Sequence, residues 1–162
     1  MNEILIDCVD HSLWATRTLI DFCRDTPRET LDAKGVGTFG TIVETFNHFI
    51  GSEPGYIQRI IGEEKTREPD TADFKELRRR VDAAEAVWRR FLRTNWDPEE
   101  ILVLDDGTYE CPKGILLAQA LHHGSLHREQ ICSMLTAAGL QPPDLQPWSY
   151  ADETGRGRFL SA

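Results

Sequence analysis

A pair of histidines constrains the fold more than any other feature of this sequence. The longest predicted helix, residues 113–139, carries His123 and His127 four positions apart. At 100° per residue their side chains lie about 40° apart on one face of the helix. The same face otherwise carries apolar residues, namely Leu116, Ala120, Ile131 and Met134, so it is predicted to point into the protein.

Two buried imidazoles need partners for their ring nitrogens, and a divalent metal ion satisfies two lone pairs at once. The alternative is a pair of core histidines held by ordinary hydrogen bonds. The spacing alone leaves both interpretations open, because a metal site also needs a third ligand from elsewhere in the chain. His122 lies about 100° away from this face and is predicted to be partly exposed.

The composition is that of a single globular domain covering residues 1–162, with 40% hydrophobic and 28% charged residues. A net charge of -9 argues against a nucleic-acid partner. The one arginine-rich stretch, residues 78–93, is interleaved with Asp82 and Glu85 and is interpreted as a solvated helix face.

The first fourteen residues are acidic and interrupted by charges, which is typical of neither a signal peptide nor a membrane span. We therefore expect a cytoplasmic protein. No CxxC spacing links the cysteines, which are expected to be free thiols in or near the core; they are Cys8, Cys23, Cys111 and Cys132.

Hydrophobic periodicity predicts a first helix over residues 2–24 and a second over residues 39–62, with Thr38 as its N-cap. Pro54 is expected to kink or break the second helix. The connection between the two helices, residues 27–37, is interpreted as a loop only.

Thr71 is predicted to cap a third helix that ends near Asn95. The runs around Asp105-Asp106-Gly107 predict a β-hairpin, and Pro112 is well suited to open the fourth helix. The proline-rich tail after Leu140 is expected to lie extended against the other helices. Its predicted anchors are Asp144, Leu145, Trp148 and Tyr150.

Four helices of this length with one hairpin predict an all-α four-helix bundle, in which sites are built from inward-pointing side chains on facing helices. His48 is the remaining histidine near the middle of a long helix, which makes it the third-ligand candidate. His11 is expected to pack with a hydrogen bond, and neither it nor His122 is expected to be a ligand.

Four segments, in this order, resemble the DinB family of DinB/YfiT-like metalloenzymes. They are the region of His11 and Trp14, the segment TIVETFNHFIGSEPGYIQRIIG, the signature HGSLHREQ and the tail GLQPPDLQPWSYA. The resemblance implies an up-down-down-up bundle with His48, His123 and His127 as metal ligands. It also implies zinc or nickel as the metal and a homodimer as a common state. Some members of the wider superfamily look like S-transferases or isomerases that use small thiols such as bacillithiol or mycothiol.

Three histidines around a divalent metal leave a position open, as in catalytic sites. The first hypothesis is therefore a transferase that attaches a small thiol to an electrophilic small molecule. The alternatives are a metal-stabilised bundle without turnover and a metal-dependent hydrolase. Arg128 is either a substrate clamp or a surface residue, Glu44 is either an imidazole acceptor or simply exposed, and Gln130 flanks the ligand pair.

Overall fold

Helices form most of the protein in the computed structural model, which describes residues 3–66, 68–158 and 160. The four long helices are α1 (Glu3–Arg24), α3 (Ile42–Ile60), α4 (Phe74–Phe91) and α5 (Lys113–Ala137). Two short helices, α2 (Arg28–Asp32) and α6 (Pro147–Thr154), lie in the connection and in the tail. Strands β1 (Ile101–Leu104) and β2 (Tyr109–Pro112) form the predicted antiparallel hairpin before α5.

Ion pairs give the relative directions of α1 and α4. Arg17 of α1 contacts Asp82 in the middle of α4 at 2.7 Å. Asp10, nearer the start of α1, contacts Arg89 near the end of α4, also at 2.7 Å. Earlier residues of one helix therefore meet later residues of the other, and the two helices are antiparallel.

In contrast, α3 and α4 run parallel. The Asn47 side chain, near the start of α3, accepts a hydrogen bond from the backbone N–H of Thr71, just before α4, at 2.9 Å. Near the end of α4, Arg90 pairs with Glu63, just after α3, at 2.6 Å. The residues that connect the two helices must therefore run back along the bundle.

The direction of α5 follows from its contacts with α3. Glu53, in the second half of α3, lies against Gly124, in the first half of α5. Gln130, further along α5, reaches the Gly37 carbonyl before α3. These two helices are therefore antiparallel, and the bundle has the predicted up-down-down-up order.

The core lies between the four long helices. The stripe predicted on the third helix is buried, and Leu77, Val81 and Trp88 of α4 are at most 3% exposed. The largest fully buried side chains include Trp88, Phe46, Phe49, Phe91, Leu19, Ile20, Ile42 and Ile57. The arginines on the outer face of α4 form ion pairs, such as that between Arg89 and Glu85 at 2.9 Å, and this solvated face confirms the interpretation of the arginine-rich stretch.

Within the described ranges, no helix combines the length and the apolar character that crossing a lipid bilayer requires. The predicted start of the first helix, residue 2, lies outside these ranges. The cysteines are free, as predicted. Cys23 and Cys111 are buried and Cys132 is half-buried, whereas Cys8 is exposed and does not belong to the core.

The starts of α3 and α4 differ from the predictions. Thr41 rather than Thr38 caps α3, and it forms a capping box with Glu44, in which each side chain accepts a hydrogen bond from the backbone N–H of the other. The hydroxyl of Thr38 instead donates to loop carbonyls. Asp73 rather than Thr71 caps α4, because a carboxylate two residues later competes for the same helix terminus.

Pro54 lies inside α3 without ending it, so the expected break is wrong. An internal proline costs about 3 kcal/mol because one backbone hydrogen bond is lost. Burial of α3 against both α4 and α5 offsets this cost, since residues on either side of the proline, including Phe49, Ile50, Ile57 and Ile60, are at most 5% exposed.

One connection and the tail each contain a short helix that was not predicted. The connection interpreted as a loop includes α2, whose Leu31 is buried. The extended tail is wrong over α6, which Pro147 opens at a position where its missing N–H costs nothing. Leu145 anchors the tail and is 8% exposed, whereas Trp148 is 78% exposed and anchors nothing.

Thr41→Ala should lower the free energy of unfolding by about 1 kcal/mol, because the backbone N–H of Glu44 at the start of α3 loses the hydroxyl that accepts its hydrogen bond. Thr136→Ala, at an exposed site inside α5, is the matched control and should change stability by at most a few tenths of a kcal/mol. Chemical denaturation of both variants measures the difference. Equal stabilities would contradict the assignment of the cap.

Candidate metal centre

Three histidines converge between α3 and α5. His48 comes from α3, and His123 and His127 come from successive turns of α5. The Nε2 atom of His123 lies 3.0 Å from that of His48 and 3.2 Å from that of His127. One ligand atom from each of the three histidines lies within 4.8 Å of the ligand atoms of the other two. The structure therefore brings together the three residues that the sequence predicted as ligands.

These distances suit a tetrahedral metal ion. Zn–N bonds of about 2.0–2.1 Å at tetrahedral angles separate ligand nitrogens by about 3.3–3.4 Å. A hydrogen-bonded cluster suits them less well, because the single Nε2 of His123 faces two other nitrogens and carries either one proton or one lone pair. The donor set therefore fits a divalent ion, and metal binding by these residues stays a prediction.

Two of the three imidazoles, those of His48 and His123, are held in the neutral form that metal binding needs. Burial, together with the charges of His127, His48 and His122, lowers the pKa of His123 to about 4. Burial also lowers the pKa of His48, and the charges of His127 and Lys65 act in the same direction. Both side chains therefore offer a lone pair at neutral pH.

Gln130 orients one of these imidazoles. Its Oε1 lies 2.8 Å from Nδ1 of His127. An amide oxygen only accepts hydrogen bonds, so Nδ1 carries the proton and Nε2 presents its lone pair to the other two histidines. Such a partner on the outer nitrogen is characteristic of metal-binding histidines. The sequence placed Gln130 beside the ligand pair without assigning this role.

Aromatic rings enclose the three histidines. Phe39 stacks on His48 with ring centroids 3.8 Å apart and is itself 54% exposed. Phe49 lies parallel to His127 at 6.2 Å, and Tyr56 meets His123 edge-on at 5.8 Å. The rings limit the directions in which the imidazoles can turn, and Phe39 forms the boundary between the cluster and solvent.

The other histidines lie outside the cluster. His122 is exposed, as its position on the helix predicts. Nε2 of His11 lies 2.7 Å from the Leu145 carbonyl, and its ring contacts Trp14 and Tyr150. His11 therefore holds the tail against α1.

Arg128 is not a surface residue, and a role as a substrate clamp stays a prediction. The side chain is 4% exposed, and its guanidinium donates to the hydroxyls of Ser12 at 3.1 Å and Thr16 at 3.0 Å. The face of α5 that lies about 100° from His127 contacts α1 rather than solvent. Glu44 is exposed and belongs to the capping box of α3, so it holds no imidazole.

Sequence reasoning missed Glu53, which is 8% exposed. Its Oε1 has no hydrogen-bond partner among the described residues. A Cβ atom at Gly124 would lie 1.8 Å from this oxygen, so glycine leaves the space that the Glu53 carboxyl group occupies. Burial raises the pKa of Glu53 to about 7, although the charge of Arg128 lowers it. The available signal was helical phase, because Glu53 follows Phe46 and Phe49 by seven and four residues.

A groove of about 760 Å³ opens beside the cluster. It runs along α3 and α4 and is bordered by the segments before α3 and between these helices. Of the three histidines, only His48 lines it. A molecule in the groove therefore meets the cluster at His48, because His123 and His127 are buried, at 9% and 6% exposure.

The purified protein should carry about one divalent metal ion per chain, bound by the three histidines. His48→Ala, His123→Ala and His127→Ala should each abolish it, because two imidazoles hold a divalent ion far less well than three. His122→Ala and His11→Ala are the matched controls and should retain nearly all of the metal. Elemental analysis measures the content, and equal loss in His122→Ala and His123→Ala would contradict the assignment.

Glu53 should make metal-free protein less stable as the pH rises. The folded protein keeps its proton up to a pKa of about 7, whereas the unfolded chain releases it near 4.5. The stabilisation is therefore complete below pH 4.5 and is lost as the pH rises through 7, a change of about 3 kcal/mol. Denaturation of wild type and Glu53→Gln across this range measures the difference. Parallel curves would contradict the burial of an ionisable Glu53.

Comparison with known proteins identifies the family. The sequence model of the DinB family matches residues 1–158, a range that includes all three clustered histidines. No curated protein matches the chain. The family match agrees with the up-down-down-up bundle and with the histidine cluster between α3 and α5. The chain belongs to the DinB family.

Proposed function

We propose that this protein is a metal-dependent transferase that joins a small thiol to an electrophilic small molecule, with zinc or nickel held by His48, His123 and His127. One observation carries the proposal: three imidazole nitrogens converge at the edge of a groove of about 760 Å³. A cluster of three leaves a coordination position for an outside ligand, and the groove gives that ligand a path.

The chemistry of the cluster favours a thiol as this ligand. A bound zinc or nickel ion lowers the pKa of a thiol placed on it and prefers sulfur as a ligand. Because an imidazole binds a metal as an uncharged ligand, three of them would leave the charge of a dication uncompensated, which favours an anionic fourth ligand. Gln130 keeps the His127 lone pair directed at the centre.

The proposed reaction is a nucleophilic substitution. The thiol proton passes to solvent, and the sulfur forms a bond to the electrophilic carbon. The bond between that carbon and its leaving group breaks, and the leaving group takes both electrons. The groove residue Phe39, stacked on His48, offers an apolar surface on which an aromatic electrophile can lie.

The second candidate is a bundle that uses the metal for stability alone. The burial of His123 and His127 favours this candidate. A metal held by the three side chains would also link α3 to α5. Metal that binds only the folded protein stabilises it by linkage. The two candidates differ in one property, because a purely structural site has no need of an open position. The homodimer and the cytoplasmic location stay predictions.

Cobalt-substituted protein titrated with small thiols should develop a sulfur-to-metal charge-transfer absorption band, because the fourth position is open to sulfur. Consumption of a chlorinated aromatic electrophile should then require both the metal and the thiol. His122→Ala is the control and should behave as wild type, whereas His48→Ala should show neither band nor reaction.

An unchanged cobalt spectrum with every thiol tested would contradict the transferase proposal. If the metal nevertheless raised the unfolding temperature, the metal-stabilised bundle would be the better account. Consumption of an ester or amide without any thiol would instead indicate the hydrolase.

A further inference from the structure

Phe39 lies where the groove meets the histidine cluster. Its ring stacks on that of His48, with centroids 3.8 Å and planes 16° apart, and it meets the ring of His127 edge-on at 5.8 Å. Stacking at 3.8 Å is van der Waals contact, so no water molecule fits between the Phe39 and His48 rings. Phe39 and His48 both line the groove. One ring therefore contacts two of the three candidate ligands on the side from which a molecule in the groove would arrive.

Phe39 is more easily moved than the other two rings around the cluster. Phe49 and Tyr56 belong to α3, where Phe49 is 0% exposed and Tyr56 packs against the core. Phe39 precedes α3 and is 54% exposed. Moving a half-exposed ring into water costs less free energy than moving a buried one, because less apolar area remains to be exposed. Phe39 is therefore the ring that can leave the cluster while the helices stay packed.

The segment that carries Phe39, residues 34–41, is called the access loop here. The backbone of Lys34 pairs with that of Thr41, which holds the two ends of the loop together. Between the ends, the Thr38 hydroxyl lies within hydrogen-bond distance of two carbonyls of the loop itself, at 3.0 and 3.1 Å. A loop whose ends are close and whose interior bonds to itself can move as one unit about those ends.

Few contacts hold the tip of the access loop to the helices. Val36 is fully exposed, and Gly37 adopts the left-handed conformation, with a φ of 73°. Within the described ranges, one side-chain hydrogen bond joins the tip to a helix. The amide of Gln130 donates to the Gly37 carbonyl at 3.5 Å, longer than the usual distance of about 2.7–3.2 Å. Segments with so few buried contacts open at a low cost in free energy.

We propose that Phe39 determines which molecules reach the metal. Its ring covers the cluster on the groove side, and an outside ligand enters when the access loop carries the ring away from His48. Gln130 contacts both His127 and the loop, so one amide orients a metal ligand and holds the loop closed. The inference rests on the proposed function for the arrival of an outside ligand, and it is independent of the chemistry of that ligand.

Cobalt exchange tests this role without thiol or electrophile. The absorption band of the bound ion appears when metal-free protein takes up cobalt and disappears when EDTA removes it. In Phe39→Ala, uptake and removal should both be about ten-fold faster, because a stacked ring no longer has to move aside. Cobalt affinity should change less than about three-fold, since a cover slows entry and exit equally. Phe39→Trp restores a ring and should exchange as wild type. Trp148→Ala removes a ring that is 78% exposed on α6 and is the matched control, which should also exchange as wild type.

Faster removal without faster uptake would overturn the inference, because the ring would then hold the metal rather than control its path. Unchanged rates in Phe39→Ala, or equal acceleration in Trp148→Ala, would also overturn it. Phe39 lies outside the buried core, so its substitution leaves the fold intact. The transferase is tested separately by the thiol and electrophile experiments. Exchange controlled by Phe39 in a protein without a thiol band would keep this inference and reject the transferase, and the reverse pattern would do the opposite.

Discussion

The close approach of α3 and α5 over Gly124 is the contact on which the site depends. The Glu53 carboxylate occupies the space that a Cβ at this position would need. Gly124 directly follows His123, so the distance between the helices at this point sets how far His48 lies from the pair on α5. Any larger residue at position 124 would require the Glu53 carboxyl group beside the cluster to move.

Behind the histidines lies a buried polar layer that joins three helices. Arg128 of α5 donates to two hydroxyls of α1, while Glu53 of α3 faces the same glycine without a hydrogen-bond partner among the described residues. Burying such groups costs several kcal/mol. The apolar core, which includes Trp88, Phe46 and Phe49, offsets that cost.

Features with a local cause were predicted from the sequence, and most features built from distant segments were not; the histidine cluster is the exception. The phase of His123 and His127, the stripe on α4 and the hairpin all follow from spacing within one element. The cap at Thr41 depends on competition between two nearby threonines, which periodicity does not rank. The burial of Arg128 was not predicted because its helix face contacts α1, and the groove was missed because it combines α3, α4 and two connections.

The central claim is that the three histidines bind one metal ion and so link α3 to α5. Anomalous diffraction from a crystal, recorded at the zinc or nickel absorption edge, tests it most directly. The account predicts one strong peak per chain, bonded at about 2.0–2.1 Å to Nε2 of His48, His123 and His127. A metal-loaded crystal without a peak at that point, or with its peak on other side chains, would contradict the account.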